Sequence, residues 1–218
     1  MSFTNRKEAG EQLANALERF RKTDAVVIAL PRGGVEVALP ICRRLRAPLT
    51  LLLVRKLGLP GQPELAMGAI VDGEMPVTVR NEDVIGFSGV DQADFDAVAA
   101  RELAEIHRRN RLYFSGRDPV AIEGRVAIVV DDGIATGATV RAAIKGLKAR
   151  KPAKIVLAVP VASEEALDML RQDVDEVVVL EGLSSLGAIG FSYRDFPQLT
   201  DADVIAALNE AETARKRA

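Results

Sequence analysis

The feature that most limits what this chain can fold into is a set of short runs dominated by aliphatic residues, at 25–30, 49–54, 126–130, 154–160 and 174–180, of which 25–30 and 126–130 are apolar at every position. A strand that is apolar at every position is buried on both faces, which happens where helices cover both sides of a parallel sheet. Between the runs the apolar residues recur at helical spacing. Ala9, Leu13, Ala16, Leu17 and Phe20 make one buried stripe over residues 4–21. Residues 35–45 predict a second helix, which Pro40 should kink or delay. The order strand, helix, strand predicts an α/β chain with right-handed crossovers.

The run at 126–130 ends on two adjacent carboxylates, Asp131 and Asp132, followed by Gly133-Ile134-Ala135-Thr136-Gly137-Ala138-Thr139. From Val140 onward, Val140, Ile144 and Leu147 restore the helical spacing. A strand, a tight loop and a helix N-terminus in that order form an anion site, because unpaired N–H groups and the helix dipole converge there. Gly137 and the small Ala135 and Ala138 let the backbone approach a phosphate, and the Thr136 and Thr139 hydroxyls add hydrogen bonds. Two carboxylates beside an anion site are reconciled by a sugar phosphate. Its hydroxyls donate to carboxylates and its phosphate accepts from N–H groups. A magnesium ion also suits the acidic pair. No lysine follows the glycine as in a P-loop, and no G-x-G-x-x-G follows a strand.

The stretch from Val129 to Thr139 resembles the phosphoribosyl pyrophosphate (PRPP) signature of the type I phosphoribosyltransferases. The resemblance implies that Asp131 and Asp132 hold the ribose hydroxyls and that Gly133 and residues 135–139 surround the 5′-phosphate. It also implies a Rossmann-like open, mostly parallel sheet flanked by helices, with a small hood and insertion. Pro31-Arg32-Gly33-Gly34 ends the first run, at the sheet edge where such folds bind ligands. Together with the acidic motif it is similar to the pyrophosphate loop of that family, in which a non-proline cis peptide is common. Here that bond would be Arg32–Gly33. Arg55, Lys56 and Leu59-Pro60-Gly61 look like the flexible catalytic loop of adenine phosphoribosyltransferases. Two prolines and two glycines within residues 58–63 predict a mobile loop with no regular element.

The function implied is transfer of ribose 5-phosphate from PRPP to a purine or related base, with release of pyrophosphate and dependence on Mg2+. The catalytic set is then Arg32, Lys56, Asp131 and Asp132, with Asp131 and Asp132 also the metal ligands. Gly33, Gly34, Arg55, Gly133, Ala135, Thr136, Gly137, Ala138 and Thr139 complete the binding set. Both acids should act ionised. Ala135 stands where hypoxanthine–guanine members carry an aspartate, which argues against their mechanism; adenine members also carry alanine. Glu64 is a candidate general base by location alone. The alternative is a non-catalytic regulator of the same fold that binds PRPP or nucleotides. Arg32, Arg55 and Lys56 beside both acids disfavour it, since a sensor needs no leaving-group machinery. A receiver-like acidic pocket would leave the Gly-Ala-Thr loop and the Arg-Gly-Gly turn unexplained.

A chain of 218 residues is expected to be a single domain, with a core over about 25–180, a helical insertion over about 81–115 and a C-terminal hood and helix over about 181–218. The insertion's longest helix is predicted over 91–113, with Phe95, Val98, Ala99, Leu103, Ile106 and Tyr113 as its stripe and a possible homodimer interface. Arg101, Arg108, Arg109 and Arg111 form its solvated face. The single histidine, His107, reads as a surface or boundary residue, which disfavours histidine catalysis. A net charge of −2 and the lack of aromatics among those arginines give no sign of a nucleic-acid partner. Cys42, the single cysteine, reads as a buried inert thiol. No apolar run approaches about 18 residues and no signal-peptide pattern is present, so a soluble, cytoplasmic protein is expected. In the hood, Phe191 or Tyr193 would stack on the base, or else the aromatics pin a flap to the core.

Overall fold

In the computed structural model, which describes residues 2–73, 76–183 and 188–216, the apolar runs become strands in the expected order. The chain runs α1 (Arg6–Ala16), β1 (Ala25–Ala29), α2 (Gly34–Leu45), β2 (Leu49–Leu51), β3 (Val54–Leu59), β4 (Gln62–Val71) and β5 (Val77–Arg80). It continues through α3 (Glu82–Ser88), α4 (Gln92–Phe114), β6 (Val126–Val130) and α5 (Ala138–Lys148). It ends with β7 (Lys154–Ala162), α6 (Glu164–Leu170), β8 (Glu176–Gly182) and α7 (Asp201–Lys216). Two units are distinguishable. The first comprises Met1–Leu51, Pro119–Gly137 and Arg150–Ala218, and the second Leu52–Asp118 and Ala138–Ala149.

The first unit is built on a five-stranded sheet in the order β2-β1-β6-β7-β8, with every neighbouring pair parallel. This is the open parallel α/β architecture expected from the aliphatic runs. All five residues of β1 and the last eight of β7 are buried, as a strand covered on both faces requires. Helix α2 starts directly at Gly34 and continues through Pro40, so the proline neither delays nor ends it. Each strand after β2 in this sheet lies on the far side of β1 from β2, so the strand order reverses between β1 and β6. The carboxyl ends of those two strands flank the topological switch point, where open α/β sheets bind ligands.

The second unit holds a three-stranded antiparallel sheet, β3-β4-β5, against which α3, α4 and α5 pack. Here the structure corrects the sequence in two places. The apolar run over 49–54 is divided: β2 ends at Leu51 and β3 begins at Val54 in the other sheet. Residues 57–64, expected to be an irregular mobile loop, are a β-hairpin in which Leu59 pairs with Gln62 across Pro60 and Gly61. Proline fixes φ for the first turn position, and Gly61 supplies the positive φ of 80° that the second requires. A register shift around Gly58 absorbs the remaining irregularity.

Helix α4 begins one residue after its Asp91 cap, whose carboxylate accepts from the Asp94 N–H at 2.8 Å. Phe95, Val98, Ile106 and Tyr113 are buried where α4 packs on β3 and β4. The apolar stripe is therefore covered by the unit's own sheet. His107 is exposed, and Cys42 is buried, which pushes its thiol well above the ordinary range. Among the described residues, no helix is long and apolar enough to cross a membrane.

Candidate active site

Within the first unit, the chain leaves β1 through Pro31-Arg32-Gly33-Gly34 and leaves the adjacent β6 through Asp131-Asp132-Gly133. These turns touch. A Cβ built on Gly33 would overlap the Asp132 carboxylate, and one on Gly34 would lie 2.6 Å from the Val130 carbonyl oxygen and 3.0 Å from the Asp131 Cα. The two glycines are what allow the first turn to lie against the acidic pair. The non-proline cis peptide is Pro31–Arg32, one residue before the expected Arg32–Gly33 bond. Arg32 is exposed.

Each acid has one oxygen engaged by the protein. Asp131 Oδ1 accepts from the Asp132 N–H at 2.9 Å, and Asp132 Oδ2 accepts from Arg6 Nε at 2.8 Å. Burial, and then the neighbouring Asp132 charge, push the Asp131 carboxyl well above the usual range. Burial also raises Asp132, while the hydrogen bond and charge of Arg6 pull it down. Hydroxyl donors or a cation brought to the pair favour its ionised form.

The loop that follows is fixed to the end of β7. Ile134 donates to the Val161 carbonyl at 2.9 Å, Ser163 N–H donates to the Ile134 carbonyl at 3.0 Å, and Ser163 Oγ donates to the Ala135 carbonyl at 2.6 Å. Ala135 and Thr136 are exposed, whereas Gly137 is buried at a φ of 75°. Among the described residues, the N–H groups of Ala135, Thr136 and Gly137 donate to no backbone carbonyl. With the Ile134 and Ala135 carbonyls engaged by Ser163, these N–H groups are left for an anion, as a cradle requires. Ala138 and Thr139, both exposed, are the first residues of α5, where backbone N–H groups lack helical partners.

Arg55 and Lys56 lie in the second unit, on β3. Arg55 Nε donates to Glu102 Oε2 at 2.8 Å, and Glu102 is 8% exposed, so α4 anchors this guanidinium. Lys56 Nζ donates to Glu64 Oε2 at 3.1 Å across the hairpin. Glu64, the candidate general base, is thus the ion-pair partner of Lys56.

The hood aromatics separate into two kinds. Tyr193 is 2% exposed, packs 5.6 Å from Phe3 and 4.8 Å from Phe196, and donates its hydroxyl to the Asp132 carbonyl at 2.6 Å. Burial raises its phenol well above the ordinary range. It is a core residue that props the acidic turn from beneath. Phe191 is 70% exposed and remains available for stacking. Arg6, 5% exposed, was not visible as a site residue in the sequence. A basic residue in the first turn of a helix reads as surface, and nothing in the pattern links it to an acid 126 positions away.

The donor chemistry suits magnesium. Mg2+ keeps several waters and is held by one or two carboxylates together with substrate phosphates, not by an all-protein cage. Among the described residues no cluster of three or more His, Cys, Asp or Glu side chains is placed to hold a metal. Two half-buried carboxylates, each with one oxygen committed, fit a cation that arrives with its substrate.

Comparison with known proteins identifies the family. The family model described as the phosphoribosyl transferase domain matches residues 5–195. A Mycobacterium tuberculosis protein, named as a candidate phosphoribosyl transferase, is 45% identical over 209 residues, covering 96% of this chain and 47% of that protein. The chain thus spans about half the length of the curated relatives it matches. The crystal structure of TT1426 from Thermus thermophilus is 40% identical, with a TM-score of 0.81, covering 96% of this chain and 99% of the other.

Proposed function

The chain belongs to the phosphoribosyl transferase domain family, and from that premise we propose that it transfers ribose 5-phosphate from PRPP to a purine or related base, releasing pyrophosphate. The observation that carries this reading is the contact between Gly33 and the Asp132 carboxylate at the switch point. It joins a turn suited to a diphosphate to an acid pair suited to sugar hydroxyls, with the open N–H groups of residues 135–137 continuing the same strand end.

In this reaction the bond from the ribose anomeric carbon to the pyrophosphate oxygen breaks and a bond from that carbon to a base nitrogen forms. Negative charge grows on the leaving group and positive charge on the sugar. Arg32 makes no ion pair among the described residues, so it can meet the diphosphate without first giving up a partner. The N–H group of Gly33 adds a fixed donor on the same side, while that of Gly34 is engaged by the Leu30 carbonyl at 3.1 Å. Asp131 and Asp132, ionised, accept from the ribose hydroxyls and favour the cationic sugar. Gly133 brings the chain round from the acids to residues 135–139, which hold the 5′-phosphate. Bound Mg2+, liganded by Asp131, Asp132 and the substrate, would neutralise charge on the departing pyrophosphate. A role for Arg55 and Lys56 rests on the resemblance of their loop alone, since each pairs with a carboxylate of the second unit, Glu102 and Glu64 respectively. Phe191, the exposed hood aromatic, stacks on the base. Preorganised charge and positioning then supply most of the rate.

The test is pyrophosphate release from PRPP and Mg2+ against a panel of purine, pyrimidine and pyridine bases, with product mass spectrometry. Release that depends on one base, with formation of the matching nucleotide, is the expected result. PRPP binding with no release across the panel would replace the enzyme by a sensor of the same ligand.

A further inference from the structure

Arg6 is the most deeply buried cation at the candidate site, at 5% exposure, and its position is an unfavourable one. It sits in the first turn of α1, where the helix dipole disfavours positive charge, and burial adds a desolvation cost. Such a residue persists only where its partners over-determine it. Nε donates to Asp132 Oδ2 at 2.8 Å, and Nη1 donates to the Pro197 carbonyl at 2.8 Å. The guanidinium lies over the Phe196 ring, 3.7 Å from its centroid. Phe196 stacks on Tyr193, and the Tyr193 hydroxyl returns to the Asp132 carbonyl. Arg6, Asp132, Tyr193 and Phe196 therefore form a closed circuit, and Asp132 is held at both its backbone and its side chain.

We propose that Arg6 is a positioning residue that fixes Asp132 by its Oδ2 atom, so that Oδ1 alone is presented to the sugar. The inference rests on the reading of Asp132 as a ribose-binding acid. The space that Oδ2 occupies exists because Gly33 has no Cβ, so the carboxylate is clamped between a cation and a bare backbone. A lysine at position 6 keeps the charge but cannot donate in the same plane to both Asp132 and Pro197. The circuit also ties the acid to the segment that carries the exposed Phe191. The sugar contact and the hood are in this way held by one side chain.

The test separates orientation from general stability by asking how well the site distinguishes sugars. Ribose 5-phosphate and its 2-deoxy and 3-deoxy analogues are titrated into the wild-type chain, Arg6→Met and Arg6→Lys, each first shown to be folded by circular dichroism. The wild type should prefer ribose 5-phosphate over at least one deoxy analogue. Arg6→Met should lose about 10–100-fold in affinity for ribose 5-phosphate, the range seen when a ligand's orienting partner is removed. Its affinity for that deoxy analogue should fall far less, so that the preference collapses. Arg6→Lys should recover part of the preference, and it carries the test if Arg6→Met does not fold. A variant with the wild-type preference, or one weakened equally for all three sugars, overturns the role of Arg6. A wild type that binds none of them overturns the underlying reading of the site instead.

Discussion

Replacing Gly33 by alanine tests the junction of the two turns with one methyl group. Gly33 has φ −58° and ψ −42°, a conformation open to any residue, so the substitution carries no backbone strain. Its whole effect comes from close approach. The new Cβ overlaps Oδ2 and Cγ of Asp132 and comes within 3.0 Å of Oδ1, so the carboxylate must turn away. Turning breaks the 2.8 Å hydrogen bond from a buried arginine. Losing one hydrogen bond to a charged group costs about 1.5–3 kcal/mol. At this chain length each kcal/mol lowers Tm by about 2–4 °C, so thermal unfolding should shift down by about 3–12 °C. The same displacement removes one charged contact to the sugar. At about 1.4 kcal/mol per tenfold, that weakens PRPP binding by about 10–100-fold in calorimetry. Gly124→Ala is the control. Gly124 has a φ of 73° with nothing within 4 Å of an added Cβ, so it should lose about 1–2 kcal/mol of stability and keep its affinity. A folded Gly33→Ala chain that binds PRPP as the wild type does would refute the contact on which the site is built.

Asp131→Asn should raise Tm near neutral pH while weakening PRPP binding, because the wild-type carboxyl is pushed upward by burial and by Asp132. The sign follows from linkage: a carboxyl with a raised folded-state pKa favours folding below its unfolded value and loses that contribution as pH rises through the folded one. The variant's advantage should therefore shrink toward about pH 4 in a Tm–pH series, and an advantage that grows on acidification would contradict the assignment. Glu102→Gln should reduce stability by about 1.5–3 kcal/mol in urea unfolding, since it weakens the charged hydrogen bond from Arg55. Phe191→Ala should leave Tm within about 2 °C, because surface substitutions rarely exceed ±0.5 kcal/mol, yet raise the KM of the accepted base roughly tenfold. An unchanged KM would remove Phe191 from the base site.

The parallel sheet was legible because its inner strands are apolar almost throughout and need no periodicity to be seen, whereas the edge strand β8 carries Glu176 and Glu181. β6 has the bounds expected of it, 126–130, and α4 differs from its prediction by one residue at each end. What the sequence hid was a change of sheet. Residues 49–54 form one run, apolar but for Thr50, yet burial in either sheet satisfies it equally, so nothing marks the passage from β2 to β3. The hairpin at 57–64 was hidden for the opposite reason. Proline and glycine signal a turn, but two such residues inside a two-residue loop and a register shift interrupt pairing without ending it. In the candidate site, Gly33, Gly34 and the acids could be singled out because short motifs encode turns and strand ends. Arg6 and Tyr193 could not, because each reaches Asp132 only through the tertiary fold. The sequence also left Phe191 and Tyr193 equivalent, and only burial separates them: one is 70% exposed, the other 2%.

The most direct test of the PRPP site is calorimetric titration of PRPP with Mg2+ into the wild-type chain and into the folded Asp131→Asn, Asp132→Asn double variant. The account predicts saturable binding to the wild type and none to the double variant. Equal affinity in both, or no binding to the wild type, would contradict it.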